Sequence, residues 1–305
     1  MNVAVLGRGA IGSLLVAQSQ LNQTPFDMWW RTPEPEDIRV WLQNGDTVSL
    51  KHSEKVSPDL LILPLKAWQI SKALNDIKPY LSPQTCIALL HNGLGTEENT
   101  LEAFPENSIL RLTTSKAARK NGDDVYETGY GQSHAGWLRE PPTAQRIAVE
   151  RLIAQVLAPC DWHRDISQPL WQKLAVNSVI NPLTAIHQVN NGQLADKSFR
   201  THIDELLREF CRISALENRH FDFEDLQATV AKVIALTAEN FSSMHQDIYH
   251  HRPTEIDYIN GYLLNRAKLH GITLPLNQSL YSQIKQLESN YLSSSKSPQN
   301  SARKN

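Results

Sequence analysis

Lys173, Asn177 and Asn181 recur at i, i+4 and i+8 in the segment Leu170-Trp171-Gln172-Lys173-Leu174-Ala175-Val176-Asn177-Ser178-Val179-Ile180-Asn181-Pro182. That spacing sets one ammonium and two amides along a single face of a helix. Their neighbours are largely apolar, and buried polar groups are costly unless something satisfies them. An ammonium in such a row can stabilise negative charge growing on a carbonyl oxygen and supply its proton. A solvated lysine beside two structural asparagines would leave the same pattern. Pro182 follows Asn181, so the helix is predicted to kink or end there and to free backbone groups.

The second constellation is Gly7-Arg8-Gly9-Ala10-Ile11-Gly12, which follows the apolar run Val3-Ala4-Val5-Leu6 and opens the helix-like Ser13–Ala17. A strand, a GxGxxG turn and a helix in that order form the dinucleotide fingerprint. Gly7 suits the tight turn, Gly9 lets backbone approach a pyrophosphate, and Gly12 lets helix pack on strand. The helix N-terminus offers Arg8, Ala10 and Ile11 as neighbours of the phosphates, with free N–H groups and partial positive charge. At the end of the next strand, where an NAD site usually carries Asp or Glu, this chain has Trp29-Trp30-Arg31-Thr32. A guanidinium pairs bidentately with phosphate, so Arg31 suits the 2′-phosphate of NADP. A solvated arginine is the alternative.

Weaker signals lie elsewhere. Glu255 starts a predicted helix Thr254–Leu269 and fits equally an ordinary first-turn acid. Ser243 and Asp247 are four apart. His91-Asn92-Gly93-Leu94-Gly95 follows a predicted strand, at the sheet edge where open α/β folds bind ligands, or is a plain Asn-Gly turn. Gly131-Gln132-Ser133-His134-Ala135 lacks the final glycine of a nucleophile elbow. The histidines show no HExxH spacing, and no GK[ST] follows a glycine-rich loop, so no metal site or Walker motif is expected.

The elements that must carry these residues fall into two groups. Apolar strands at Val3–Leu6, Phe26–Trp30, Leu60–Leu63 and Cys86–Leu90 alternate with helical segments, including Ala67–Ile77, which implies a parallel sheet flanked by helices. The shorter, glycine-containing stretches of residues 109–140 are read as the far edge of that sheet. After about Cys160 the pattern turns helical: Phe199, Ile203, Leu206, Leu207, Phe210 and Ile213 keep helical spacing, as do Ile256, Ile259, Leu263 and Ala267. The expected organisation is an α/β fold: a Rossmann-type NADP-binding domain over 1–165, an all-helical substrate and catalytic domain over 166–292, and a disordered polar tail over 293–305.

Bulk properties narrow the partners. A net charge of -2 disfavours nucleic acid, and no apolar run is long enough for a membrane span. Cys86, Cys160 and Cys211 form no CxxC pair, and no secretory leader pattern opens the chain, so a reducing cytosol is expected.

Read together, these blocks closely resemble the ketopantoate reductase (2-dehydropantoate 2-reductase) family. The resemblance rests on Gly7–Gly12, Leu65-Lys66-Ala67-Trp68-Gln69, His91–Gly95, Lys173–Ala185, Asn191-Gly192, Ala238–Ile248 and Thr254–Gly261. It covers nearly the whole chain, and the blocks WxKLAVNxxINPLTA and TEIDYING are specific. Pro64 is not identifiable with the family pattern. The resemblance implies NADPH-dependent reduction of ketopantoate to pantoate, in pantothenate and coenzyme A biosynthesis, by a cytoplasmic monomer or homodimer. It implies Lys173 as general acid and Glu255 as a glutamate that positions substrate and lysine and borders the cofactor. It further implies that Asn92, Asn177, Asn181, Asn191 and Ser243 bind the keto acid. Lys66, Gln69 and Asn92 would touch the cofactor beside the glycine loop and Arg31.

Overall fold

The computed structural model describes residues 1–30 and 37–292, in two compact units, Met1–Pro169 and the remainder from Leu170. Arg31 and the tail 293–305 lie outside the described residues. The division falls four residues beyond the boundary expected from sequence.

In chain order, the first unit contains β1 (Val3–Leu6), α1 (Ala10–Leu21), β2 (Asp27–Trp29), β3 (Ile38–Trp41), β4 (Thr47–Leu50), β5 (Leu60–Leu63), α2 (Ile70–Ile77) and β6 (Cys86–Leu90). It continues with α3 (Glu97–Ala103), β7 (Ile109–Thr114), β8 (Ala117–Asn121), β9 (Asp124–Gly129), β10 (Ser133–Arg139), α4 (Thr143–Val156) and β11 (Cys160–Trp162). The main sheet runs β11-β10-β7-β6-β5-β1-β2. β1, β5 and β6 are unbroken apolar runs, buried at every position, as strands covered on both faces must be. Alternate residues feed opposite cores: Val3, Val5 and Ile62 pack with α1, whereas Ala4, Leu61 and Leu63 pack with Ile70 and Leu74 of α2. β1 pairs in parallel with β2 on one side and β5 on the other, so the strand order reverses at β1. Ligands of open α/β sheets bind beyond the carboxyl ends of strands at such a reversal.

The expectation that residues 109–140 form one sheet edge needs correction. β7 and β10 do join the main sheet, antiparallel to each other, but β8 and β9 leave it. They pair with β3 and β4, which sequence reading passed over, in a second sheet ordered β4-β3-β9-β8. The reason is one-sided burial. Ile38, Val40, Val48 and Leu50 face the core beside Leu14 and Leu15 while the residues that alternate with them are exposed, so these strands are short and lack an unbroken apolar run.

The second unit is helical: α5 (Ser167–His187), α6 (Lys197–Leu216), α7 (Phe223–Leu236), α8 (Ser243–Tyr249), α9 (Asn260–Leu269) and α10 (Pro275–Leu292). α6 buries Ile203, Leu206, Leu207, Phe210 and Ile213, the face its spacing predicts. Of the outcomes predicted at Pro182, a kink or an end with freed backbone groups, the end does not occur: α5 continues to His187. Proline deprives the Ser178 carbonyl of its helical donor, and the Asn260 side-chain amide supplies one instead, at 3.0 Å. The predicted helix Thr254–Leu269 is broken. A 3-10 turn at Ile256–Tyr258, capped by the Thr254 hydroxyl accepting from Ile256 N–H (3.2 Å), precedes Ile259, whose φ of -106° and ψ of -91° interrupt the helix before α9. Gly271 stops α9, at φ +67°.

Candidate active site

Three loops of the first unit leave the carboxyl ends of adjacent parallel strands: Gly7–Gly12 after β1, Pro64–Gln69 after β5, and His91–Thr96 after β6. The glycines of the first loop do different things. Gly7 adopts φ +108°, and a Cβ there would meet Leu65 at 2.7 Å; on Gly12 it would meet the Pro64 ring at 3.0 Å. Pro64, outside the family pattern, thus forms the wall against which α1 packs. A Cβ on Gly9 would find no protein atom nearer than 3.8 Å, and its φ is an ordinary -75°. Nothing inside the fold demands glycine at position 9, which fits a backbone kept bare for a ligand arriving from outside. The same position caps α1 without a side-chain bond, and no acidic residue occupies the first turn, so the helix end suits an anion.

Arg8 is tied down within this loop. It forms an ion pair with Asp123, its guanidinium lies 5.0 Å from the centre of the Trp30 ring, and Lys120 Nζ donates to its carbonyl at 3.1 Å. Burial and then the Arg8 charge lower the Lys120 pKa. These residues of β8 and the turn into β9 were missed in the sequence, because tertiary folding alone brings the second sheet to the glycine loop. Lys66 and Gln69 meet in one 3-10 turn, the Gln69 side-chain oxygen accepting from Lys66 N–H at 3.1 Å. Asn92 is half-buried in the third loop.

In the second unit, Lys173 and Asn177 are half-buried on α5 and Asn181 is buried. The helical rise separates successive members of this row by about 6 Å. Near its far end the chain folds back. The Thr184 hydroxyl lies 3.1 Å from the Asn181 carbonyl and 2.8 Å from the Ser242 hydroxyl. Ser242 also caps α8 by accepting from His245 N–H, which leaves Ser243 as the exposed hydroxyl of the pair. Asn191 N–H donates to the Asn240 carbonyl in the same loop. The short segment of residues 237–243 thus contains Ser243, bonds Asn191 through Thr237 and Asn240, and meets α5 at Thr184, three residues beyond Asn181.

Asn191 has a defined orientation. Its Nδ2 donates to Thr237 Oγ1 at 2.8 Å, and that hydroxyl in turn donates to the Val233 carbonyl. Its Oδ1 is buried with no hydrogen-bond partner among the described residues. A buried acceptor is ordinarily paired, so this oxygen has the capacity to accept one further hydrogen bond. Glu255 is 3% exposed and precedes the 3-10 turn instead of starting a helix. The Asn260–Ser178 bond ties the chain five residues beyond Glu255 to the chain five residues beyond Lys173.

Ser133 lies fully buried inside β10, 2.9 Å from Thr114 Oγ1, where no nucleophile elbow exists. Among the described residues no helix is long and apolar enough to cross a membrane, and no three metal-ligating side chains converge.

The fold and its glycine loop define a two-unit, Rossmann-type dinucleotide-binding protein. The chain belongs to the ketopantoate reductase family: it matches "Ketopantoate reductase PanE/ApbA" over residues 3–140 and "Ketopantoate reductase PanE/ApbA C terminal" over residues 165–288. It is 38% identical to the 2-dehydropantoate 2-reductase of Vibrio cholerae, over 95% of this chain and 99% of that one. The corresponding protein of Yersinia pestis is 39% identical over 95% and 96%. Among solved structures, D-mandelate dehydrogenase with NADH and anilino(oxo)acetate shares the fold with a TM-score of 0.87, at 24% identity over 96% of this chain and all of that one.

Proposed function

We propose that this chain reduces ketopantoate to pantoate with NADPH, a step of pantothenate and coenzyme A biosynthesis in the cytosol. The observation that carries the reading is the half-buried Lys173 standing in line with Asn177 and Asn181 on α5, in a chain of this family.

The bare backbone at Gly9, the uncapped N-terminus of α1 and the Lys66–Gln69 turn are the elements of the first unit that would hold the dinucleotide pyrophosphate and its neighbours. Arg31 is assigned the 2′-phosphate on the strength of its guanidinium and its place after the second strand. When bound, NADPH supplies the hydride for which the protein itself has no source. The protein's part is proton transfer and grip. Reduction at C2 turns the carbonyl into an alkoxide, and the Lys173 ammonium stabilises that charge and gives up its proton to the oxygen. Asn177, Asn181 and Ser243 offer donors to the carboxylate and keto oxygens. Asn191 Oδ1, an acceptor without a partner among the described residues, accepts a hydrogen bond from the hydroxyl that distinguishes ketopantoate from simpler 2-keto acids. Glu255 holds the lysine and substrate in register.

The test is NADPH oxidation followed with ketopantoate, repeated with NADH and with Lys173→Ala. The variant is expected to lose on the order of 10²-fold or more in kcat while NADPH affinity is kept. A near-normal rate would remove Lys173 as the acid. Arg31→Ala is expected to weaken NADPH far more than NADH, and equal losses would contradict the 2′-phosphate assignment.

A further inference from the structure

Arg111 is a charged residue inside the apolar strand β7, in the run Ile109-Leu110-Arg111-Leu112, and it is 0% exposed. A buried guanidinium is tolerated when every donor is satisfied, and here five donors meet five acceptors. Nε donates to Glu97 Oε1 at 2.8 Å. One terminal nitrogen reaches the carbonyls of Leu89 (3.2 Å) and Leu112 (2.7 Å). The other reaches those of His91 (3.1 Å) and Gly93 (2.9 Å). Two of these carbonyls flank Asn92 on either side.

Glu97 and His91 complete the clamp. Glu97 Oε2 accepts from Gly95 N–H at 2.8 Å and Thr96 N–H at 3.0 Å. His91 Nδ1 lies 2.9 Å from the Asn92 carbonyl, which can only accept, against 3.4 Å from the Arg111 guanidinium, which can only donate. The shorter contact assigns the proton to Nδ1, and Nε2 then accepts from Thr96 Oγ1 at 2.6 Å. Carbonyls of residues 89, 91, 92 and 93 and amides of residues 95 and 96 are all held by these three side chains. A β-turn on a sheet edge needs nothing so elaborate, and a buried charge is a poor way to gain stability alone.

We propose that Arg111, acting through Glu97 and His91, is a positioning residue that sets the Asn92 loop for substrate and cofactor. The proposal rests on the reading of Asn92 as a ligand contact. Its physical content is rigidity: a backbone pinned on both sides of Asn92 keeps that amide where the ligands need it, and small displacements at a reacting centre are expensive in rate.

The experiment measures kcat and KM for ketopantoate, NADPH affinity by fluorescence without substrate, and Tm, in the full chain. The variants are Asn92→Ala, Arg111→Met, Glu97→Gln and the Asn92→Ala/Glu97→Gln pair. Arg111→Met strands a carboxylate and four carbonyls, so folding is at risk. Glu97→Gln leaves the four carbonyl bonds of Arg111 in place and keeps the proposal open to test. Glu97→Gln is expected to lower kcat/KM about tenfold, chiefly through KM. In the Asn92→Ala background the same change should cost less than about twofold, because its target is already gone. A lowered Tm with wild-type kinetics in Glu97→Gln overturns the proposal alone, as do losses that multiply in the pair. Wild-type kinetics in Asn92→Ala overturns the role of Asn92 and, with it, the proposal.

Discussion

Asn260 donates its side-chain amide to the carbonyl of Ser178, the group that Pro182 leaves without a partner in α5. The same nitrogen also donates to Asn277 Oδ1 at 2.9 Å, and Asn277 is gripped in turn by Glu209 through Nδ2 (2.8 Å) and its own N–H (3.0 Å). A buried polar relay thus runs from α6 through the start of α10 to the middle of the helix that carries Lys173. It lets α5 tolerate an internal proline and extends the helix far enough to place Thr184 against Ser242.

Asn260→Ala leaves the Ser178 carbonyl and Asn277 Oδ1 unpaired in the interior, which should destabilise the fold by about 2–4 kcal/mol in urea titration. Pro182→Ala returns an N–H to α5 and should shrink that loss by about 1 kcal/mol. Equal losses in both backgrounds would show that the proline and the amide are not coupled.

Gly9 and Gly12 should respond in opposite ways to alanine. Gly9→Ala meets no protein atom closer than 3.8 Å, so Tm should stay within a degree or two while NADPH affinity falls about tenfold or more. Gly12→Ala presses on Pro64 at 3.0 Å and on the Gly7 carbonyl at 3.2 Å, so Tm should drop. The contrast separates a glycine kept for the ligand from one kept for packing. A Tm loss at Gly9 equal to that at Gly12 would erase it.

Asn191 should discriminate by hydroxyl. With Oδ1 oriented by Thr237, Asn191→Ala is expected to raise KM for ketopantoate by about 10–100-fold. It should leave KM for 2-ketoisovalerate, which lacks the hydroxyl, nearly unchanged. Parallel rises for both acids would assign Asn191 to the shared carboxylate instead.

Stability should carry an acid limb from Glu97. Burial pushes its carboxyl pKa up, but the Arg111 charge, the charge His91 gains when protonated in acid, and two backbone hydrogen bonds outweigh that, and the net shift is below the ordinary value of 4.5. A carboxyl whose folded pKa is depressed stabilises the fold fully above the unfolded value and loses that contribution as pH falls through the folded one. Tm of the wild type should therefore fall more steeply than that of Glu97→Gln as pH drops below 4.5, and the two curves should converge in acid. Parallel curves would show that Glu97 is not depressed.

Much of this molecule was readable before folding because its signals are local. The order strand, glycine turn, helix at Val3–Ala17 needs no distant partner to be recognised, and β1, β5 and β6 declare their burial by unbroken apolar composition. The Lys173–Asn177–Asn181 row is a matter of helical period. Where local rules compete with tertiary ones, reading failed. Proline argued for a kink or an end in α5, and an asparagine 78 residues after Pro182, invisible to any local window, supplies the donor with which the helix runs on. Thr254–Leu269 had helical spacing, yet the chain breaks at Ile259 to bury Asn260 and pack Gly261 against Tyr281. Strands β3 and β4 carry no unbroken apolar run, because one-sided burial leaves only four residues of alternating pattern in each.

By itself, then, the sequence determined the two-part architecture, the dinucleotide loop and the candidate site residues, since each is written in spacing over a few turns or one strand. Tertiary structure alone decided which of those residues are held and by what. It buried Asn191 Oδ1 without a hydrogen-bond partner among the described residues, spent Ser242 as a cap and left Ser243 exposed. It also brought Arg111 under Asn92 from a strand nineteen residues away. Hydrogen bonds between groups far apart in the chain have no periodicity to announce them, and orientation is set by such bonds.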